Sequence, residues 1–484
     1  MPATLTQVRS RLEEAGTEPL VVSFAELLFE KADPRLLETF GPESLGNMAA
    51  HGFRFLDSLG EGQMRVEVFN PTRKTHGWEA PYTVLMLALR DRPFIVDSVQ
   101  AELRRRGFAI AHLLHPIYTV SRGPDGHITG VAARGSEGHQ EAFEIWFLER
   151  EESQGRLDEL QRAVRRGLGD VVLATSDYAA MRDQVARVGR YLQDLEGRAP
   201  VLDAAREDVS EYADFLRWLD DDNFVFLGYR EYDIVSAGEE RLLQVDEESA
   251  LGILRRIERS AYREPTPLAE LPEGLKERVV GGRLFVVTKT NAESTVHRPA
   301  RMDYIGIKKL GAAGEVAGEM RFLGLFTSKA LSTPVDEIPI LRRRLRQVLE
   351  LDGAIPDSHD YKGIISTFNS MPREEIFWSD AEQLHEDIRT IMTLEQEREV
   401  RLSVRPDPLA RGYAVMVVMP RDHFNAQVRR RIQEFLAAAF EATHVDYQLA
   451  MGEDEAQVRF HFFFNSQIDL KRMDLRKLER EVAE

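Results

Sequence analysis

The hydrophobic period of the chain changes from helical to strand-like at Met64, where "MRVEVFN" alternates, and this change constrains the fold most. Residues 82–89, "YTVLMLAL", form an almost uninterrupted apolar run, which is typical of a strand buried on both faces. After a short polar turn, Ile95, Val99 and Leu103 recur at helical spacing, and Gly107 marks the end of that stretch. A buried strand that leads directly into an amphipathic helix predicts a sheet covered by helices.

The same region continues with alternating strand and helix patterns. "AIAHLLHPIYTVSR", "HITGVAA" and "EAFEIWFLE" read as strands, "LDELQRAVRRGL" as a helix and "DVVLAT" as a short final strand. Apart from one additional strand before the second helix, the resulting order is strand, helix, strand, strand, helix, strand. That order predicts a ferredoxin-like unit, in which two helices cover one face of an antiparallel sheet.

The length of 484 residues exceeds what one hydrophobic core supports, since domains average about 100–200 residues. Two further groups of strand patterns follow, and "DYIGIKKL" with "EVAGEMRFLGLFTS" predicts a strong antiparallel hairpin. We predict an α+β, multidomain protein with an N-terminal helical segment (1–60), a ferredoxin-like unit (61–180), a helical connector (181–207), a sensor-like α+β domain (208–332), a helical linker (333–395), a second sheet with helical cover (396–466) and the start of a further element (467–484).

Composition excludes several function classes. The net charge of −18 argues against nucleic acid as a partner, because phosphate contacts need a basic face. The chain has no cysteine, so it has no disulfides and no thiolate metal sites. No apolar run reaches membrane-spanning length, and the first residues lack the apolar core of a signal peptide. We therefore expect a cytoplasmic protein without a membrane partner.

Known catalytic and cofactor motifs are missing from the sequence. There is no GxGxxG between a strand and a helix, no Walker A sequence, no GxSxG and no HExxH. Gly311, Gly314 and Gly318 lie between two strand patterns, which predicts a hairpin turn. His112 and His115 do not share a strand face, and the run of Asp220–222 reads as a solvated loop, so no metal site is predicted.

The strand-to-helix turn at residues 91–97 is the candidate binding site. The free N–H groups of a helix start favour an anion such as an amino-acid carboxylate. Asp91, Arg92 and Asp97 could read the carboxylate and ammonium groups of such a ligand, with Pro93 and Phe94 forming the turn. The alternative interpretation is a simple helix start with an aspartate cap, and the residues alone leave both open.

Several longer segments, taken in order, carry a resemblance to a known family. The "DRP" turn resembles that of an ACT domain, an amino-acid-sensing module. The likeness runs from about residue 20 to the end of the sequence. The segments that carry it are "FNPTRKTHGWEAPYTVLMLALRDRPFIVDSV", "HLLHPIYTVSRGPDGHITG", "DDNFVFLGYREYDI", "DYIGIKKL", "GEVAGEMRFLGLFTSKAL", "SHDYKGIISTFNSMPREEIFW" and "EREVRLSVRPDPLARGYAVMVVMPRDHFN". Together they resemble the amino-terminal region of the large NAD-dependent glutamate dehydrogenases.

The resemblance implies two ACT-like units at 61–180 and 396–466 and a PAS-like sensor domain at 208–332. It also implies an enzyme that deaminates glutamate to 2-oxoglutarate with NAD bound elsewhere, in a downstream catalytic domain. The chain itself is then expected to hold no catalytic residue and no cofactor, and to serve in regulation and in homo-oligomer assembly. Phe94 stands where ligand-binding ACT domains carry glycine, so an amino-acid effector at this turn is only one hypothesis.

Two other hypotheses belong to different functional classes. A stand-alone sensing protein built from ACT-like and PAS-like modules would bind small molecules, such as amino acids, without a dehydrogenase partner. A hydrolase or transferase would need a pocket with convergent acids and a strongly perturbed pKa. The open-ended final helix pattern, "DLKRMDLRKLEREVAE", favours the dehydrogenase region over both.

Overall fold

The computed structural model describes residues 3–484 apart from 61, 137, 203, 239, 261, 272–275, 277–278, 398, 408–410 and 451–456. Contacts divide the chain into two compact units. Unit 1 is Met1–Ser176 with Glu293–Ala300, and unit 2 is Asp177–Ala292 with Arg301–Glu484. The seven-part division drawn from the sequence is finer than these two units and stays a prediction.

Unit 1 begins with helices and continues into a sheet. Proline stands at the start of three of these helices, at Pro19, Pro34 and Pro42, where its missing N–H has no helical partner to lose. The elements are α1 (Ala3–Glu14), α2 (Pro19–Phe29), α3 (Pro34–Thr39), α4 (Pro42–Asp57), β1 (Met64–Phe69), α5 (Arg73–His76), β2 (Thr83–Arg90), α6 (Ile95–Arg105), β3 (Ile110–Leu114), β4 (Ile117–Arg122), β5 (Ile128–Ala133), β6 (His139–Leu148) and α7 (Gln154–Ser176).

The sheet of unit 1 has the order β1-β2-β6-β4-β5, and β3 also pairs with β6. All its recorded pairings are antiparallel. The stretch expected as one strand is divided into β3 and β4 at His115 and Pro116. Proline has no N–H for the ladder, so the strand is interrupted there while both halves stay paired with β6.

The prediction of a final strand at "DVVLAT" is wrong, because these residues lie inside α7. Leu160, Val164, Leu168 and Val171 are all buried and continue one apolar stripe at helical spacing, so the helix runs on. The sheet edge beside β2, where the expected strand would have paired, is occupied by β1.

Helices cover both faces of this sheet, whereas two helices on one face were expected. Val84, Met86 and Ala88 belong to the core formed with α1–α4. Their neighbours along β2 point to the opposite face by strand alternation. Ile95, Val99 and Leu103 of α6 are buried, as the helical period predicted.

Unit 2 contains two sheets and the helices between them. Its elements are α8 (Tyr178–Glu196), α9 (Arg206–Trp218), β7 (Phe224–Ala237), β8 (Glu240–Gly252), β9 (Thr266–Pro267), β10 (Phe285–Glu293), β11 (Arg301–Leu310), β12 (Val316–Phe326), α10 (Ser328–Ser332), α11 (Leu341–Asp352), α12 (His359–Ser370), α13 (Arg373–Trp378), α14 (Ala381–Glu397), β13 (Arg401–Pro406), β14 (Gly412–Pro420), α15 (Ala426–Ala439), β15 (His444–Ala450), β16 (Gln457–Asn465) and α16 (Leu475–Ala483).

The first sheet of unit 2 has the order β10-β11-β12-β7-β8-β9. The expected hairpin is confirmed as β11 and β12, and its turn contains Gly311 and Gly314. Gly318, also expected in the turn, lies in β12 opposite Lys309. Phe226, Tyr229, Ile305 and Phe322 share a core with α8, α9 and α11–α14, so one face of the sheet is apolar and covered.

The second sheet of unit 2 has the order β13-β14-β16-β15. On one face, Phe460, Phe462 and Phe464 pack with α15 through Leu436. On the other face, Met416 and Val418 pack against Ile391 of α14. This second face also carries polar side chains, which form the cluster described below.

Candidate functional site

The predicted turn lies between β2 and α6 in unit 1. Phe94 precedes the helix in the left-handed region, with φ of 74°. The carbonyl of Phe94 accepts from the N–H of Ser98 at 3.0 Å, which begins the helix. Asp91 donates its backbone N–H to the carbonyl of Gln140 at 2.8 Å, so the turn is fixed to β6. A non-glycine residue at positive φ is strained, and neighbouring contacts must hold it there.

The side chain of Arg92 is bound to the end of α7. Its Nη1 donates to the carbonyl of Val172 at 3.2 Å and to the hydroxyls of Thr175 at 3.0 Å and Ser176 at 3.2 Å. Burial, reinforced by the charge of Arg90, lowers the pKa of Arg92 from its usual value. The last carbonyls of a helix lack intrahelical partners, so Arg92 acts as a cap for α7.

Asp97 and Phe94 contact the segment Glu293–Ala300, which belongs to unit 1. The ring of Phe94 lies 4.9 Å from that of His297, centroid to centroid. His297 Nδ1 lies 3.2 Å from a carboxylate oxygen of Asp97, and its backbone N–H donates to the hydroxyl of Ser98 at 2.9 Å. Thr295 reaches α7 from the same segment, with its hydroxyl 2.8 Å from Asp170.

The structure thus places the five predicted residues at one turn, and most of their side chains already contact other residues of unit 1. Asp91 faces Arg134 at 3.6 Å, and Pro93 is exposed. Phe94 is half-buried against His297. An amino-acid ligand at this turn would have to replace these contacts, and the effector site stays a prediction.

A buried carboxyl group in this unit was missed by the sequence reasoning. Glu144 in β6 is 2% exposed and accepts from the indole N–H of Trp146 at 2.7 Å. The pKa of Glu144 is raised to about 7, mainly by burial. The indole hydrogen bond opposes this rise, and the charge of Asp91 adds to it. A single acid within the apolar run "AFEIWFL" was the available signal, since buried acids titrate abnormally.

A second cluster missed from the sequence joins α13 and α14 to the last sheet. Arg405 of β13 donates to Glu375 at 2.5 Å and to the hydroxyl of Ser379 at 2.8 Å, and it pairs with Asp387 at 3.1 Å. His461 of β16 lies 3.2 Å from the other oxygen of Glu375.

The carboxylates of this cluster are buried, and their environments differ. Burial alone would raise the pKa of Glu375, but the charges of His461 and Arg405 hold it below its usual value. For Asp387, burial dominates over the attraction of Arg405, and its pKa is raised. The signal in the sequence is the alternation in "QVRFHFFFN", where Arg459 and His461 share one face of an otherwise apolar strand.

The remaining candidates have structural partners. Asp220 pairs with Arg182, and Asp221 pairs with Lys329. Within the part of the chain that the structure describes, there is no group of three or more potential metal ligands. No helix among the described residues has the length and apolarity needed to cross a bilayer.

Three sequence models of glutamate dehydrogenase modules match the chain in order. The ACT1 domain matches residues 24–164, helical motif 1 matches 338–398 and the ACT2 domain matches 401–484. The first match includes the helices from α2 onward and ends inside α7, so its limits differ from the predicted range of 61–180.

Curated relatives resemble between about three quarters and nearly all of the chain. The NAD-specific glutamate dehydrogenase of Halomonas elongata is 31% identical over 494 residues, which is 99% of this chain and 30% of the relative. The protein of the same name from Pseudomonas aeruginosa is 28% identical, over 96% of this chain and 28% of its own length. The one from Mycobacterium tuberculosis is 27% identical over 74% of this chain and 21% of the relative. The chain therefore spans less than a third of each relative.

Proposed function

Because this chain belongs to the family of NAD-specific glutamate dehydrogenases, we propose that it forms the amino-terminal, non-catalytic regulatory and assembly region of such an enzyme. The observation that carries the proposal is the order of the matched modules: ACT1, helical motif 1, ACT2. In the whole protein, a catalytic domain outside this chain would bind NAD and deaminate glutamate to 2-oxoglutarate and ammonia. We place that protein in the cytoplasm.

The strand directions support a non-catalytic role. The sheet pairings of unit 1 described above are antiparallel, and β14 pairs antiparallel with both β13 and β16. Dinucleotide-binding domains use a mostly parallel sheet with a glycine-rich turn before a helix. The glycine-rich turn of this chain instead joins two antiparallel strands, β11 and β12.

The first sheet of unit 2 supports a PAS-like sensor. Its first strand, β7, lies in the middle between β8 and β12, and the order then continues through β11 to β10. A central first strand flanked by the second and the last strands is the arrangement that a PAS-like domain would have. We therefore propose that residues 208–332 are the sensor module of the region.

An exposed sheet edge supports a role in assembly. β15 is at the edge of its sheet, and its Tyr447 and Leu449 are 51% and 37% exposed. An edge strand offers unpaired backbone groups to another strand, and exposed apolar side chains strengthen such a contact. We propose that this edge pairs with a second copy in a homo-oligomer.

The catalytic half of the proposal is tested with the purified chain. Incubation with glutamate and NAD should give no NADH above the rate of a mock purification, and NAD should give no saturable heat in calorimetry. NADH formation that copurifies with the chain through several columns would contradict a non-catalytic role.

The assembly half is tested by light scattering. Leu449→Lys should lower the average mass, because a buried lysine at the edge would have to lose its hydration. Leu351→Lys in α11 is the matched control, since Leu351 is 48% exposed and lies away from the sheet edge. An unchanged mass for both variants would contradict pairing through β15.

A further inference from the structure

Among the described residues, one face of the first sheet in unit 2 carries more buried positive than negative charge. Arg321 of β12 stands directly opposite Arg230 of β7 on one side and Gly306 of β11 on the other. Arg230 is 3% exposed, and the side chain of Arg321 is 19% exposed. Like charges directly opposite each other on neighbouring strands repel, and burial strengthens the repulsion.

The carboxylate beside this pair is shared among several donors. Glu319 accepts from Arg321 at 3.1 Å, from Lys308 at 3.2 Å and from the hydroxyl of Tyr304. Strand alternation places three cations, Arg230, Arg321 and Lys308, on this face of β7, β11 and β12. Glu319 lies on the same face, and of the three cations it contacts Arg321 and Lys308. Burying cations without matching anions is unfavourable, so a bound anion on this face would stabilise the folded chain.

Arg230 itself contacts only neutral groups among the described residues. Its guanidinium donates to the carbonyl of Leu254 at 3.3 Å, to the hydroxyl of Ser260 at 3.1 Å and to the hydroxyl of Tyr232. The segment with Leu254 and Ser260 lies over the sheet face, so Arg230 is held between the sheet and that segment. None of these partners carries the negative charge that would balance it.

Three hydrogen-bond donors on this sheet face, two from arginines and one from a tyrosine, have no acceptor among the described residues. The Nε atoms of Arg230 and Arg321 are both buried without a hydrogen-bond partner. The hydroxyl oxygen of Tyr232 lies within hydrogen-bond distance of both guanidinium groups, 2.8 Å from that of Arg321. Since arginine nitrogens only donate, this oxygen is the acceptor in both bonds. The hydroxyl hydrogen of Tyr232 is then left without a described acceptor.

From these contacts we propose that Arg230, Arg321 and Tyr232 form a binding site for a small oxyanion, either a carboxylate or a phosphoryl group. Such a ligand would accept from the two Nε–H groups and the phenol O–H, and it would balance the excess charge. Charge-assisted bonds of this kind are the strong hydrogen bonds of proteins. The inference stands on this sheet face alone and does not depend on the proposed dehydrogenase role.

The test uses the full chain and two simple probes. Thermal unfolding and calorimetry are measured at pH 7 with sodium glutarate, with sodium phosphate, and with sodium chloride at matched ionic strength. At least one oxyanion should bind saturably and raise the unfolding midpoint beyond the chloride control. Binding of glutarate but not phosphate assigns a carboxylate ligand, and the reverse assigns a phosphoryl ligand.

Variants locate the binding. Tyr232→Phe keeps the ring and removes the hydroxyl, so it should weaken binding by about tenfold or more. Arg230→Met should abolish binding. Arg187→Met is the control, because Arg187 pairs with Glu231 and contacts Tyr229, which belongs to the core on the opposite face of the sheet. The proposal is overturned if neither probe binds beyond the chloride control, or if Tyr232→Phe binds as tightly as the unchanged chain.

Discussion

The indole N–H of Trp146 donates to the carboxyl of Glu144 across 2.7 Å, and both side chains are buried inside unit 1. The two residues are neighbours on one face of β6, on the side opposite the core formed with α1–α4. Because burial raises the pKa of Glu144 to about 7, the carboxyl titrates near neutral pH. The stability of unit 1 is therefore expected to depend on pH in a range where surface acids are fully ionised.

The first prediction follows from that pKa. A folded-state pKa of about 7, above the ordinary 4.5, means that the folded chain binds the proton more tightly than the unfolded chain. Stability should fall as pH rises from about 4.5 to 7 and then level off. Glu144→Gln should flatten this dependence and raise the free energy of unfolding above pH 7 by up to about 3 kcal/mol. Urea unfolding at several pH values measures the free energy of unfolding of both chains. The same pH dependence in Glu144→Gln as in the unchanged chain would contradict the raised pKa of Glu144.

The second prediction concerns the buried face of α6. Val99 is 1% exposed, so Val99→Asp buries a charge without an evident partner and should cost about 3 kcal/mol or more. Val96→Asp is the control, because Val96 is only half-buried on the same helix and should cost less. An equal loss in the free energy of unfolding for the two variants, measured by denaturant unfolding, would contradict the burial of Val99 in this face.

The third prediction separates the two interpretations of the turn. Arg92→Ala removes the cap of α7 and should lower the free energy of unfolding by about 1–2 kcal/mol. Arg90→Ala, at the exposed neighbouring position, is the control. Calorimetry with a panel of amino acids then tests the effector site. A binding heat that is present in the unchanged chain and absent in Arg92→Ala supports an effector site. If no amino acid gives a binding heat, the turn has only a structural role.

The fourth prediction concerns the cluster between α13 and the last sheet. Glu375→Gln leaves Arg405 and His461 with less negative charge in a buried site and should cost about 3 kcal/mol. Glu374→Gln is the matched control, because Glu374 is 38% exposed in its ion pair with Lys289 and should cost less than about 1 kcal/mol.

The pH dependence of the same cluster has the opposite sign to that of Glu144. The pKa of Glu375 is lowered in the folded chain, so its contribution is present above the ordinary carboxyl range and is lost on acidification. The unchanged chain should lose stability as pH falls below about 4.5, and Glu375→Gln should lose less over the same interval. An equal loss of stability on acidification in the unchanged chain and in Glu375→Gln would contradict this role of Glu375.

Local periodicity determined much of the secondary structure. The buried strand at 82–89, the helix carrying Val99 and the hairpin of β11 and β12 all follow from the spacing of apolar residues, which is a short-range property. The family resemblance was also readable, because it rests on the order of segments along the chain.

The tertiary structure decided which strands are neighbours and which charges meet. The apolar residues of "DVVLAT" fit a strand or a helix equally well over so short a run, and burial of Val171 and Ala174 in continuation of the apolar stripe of α7 favours the helix. His297 lies some 200 positions from Asp97 along the chain, so their contact left no local pattern. Arg230 opposite Arg321 likewise depends on the register of β7 and β12, which only long-range pairing fixes.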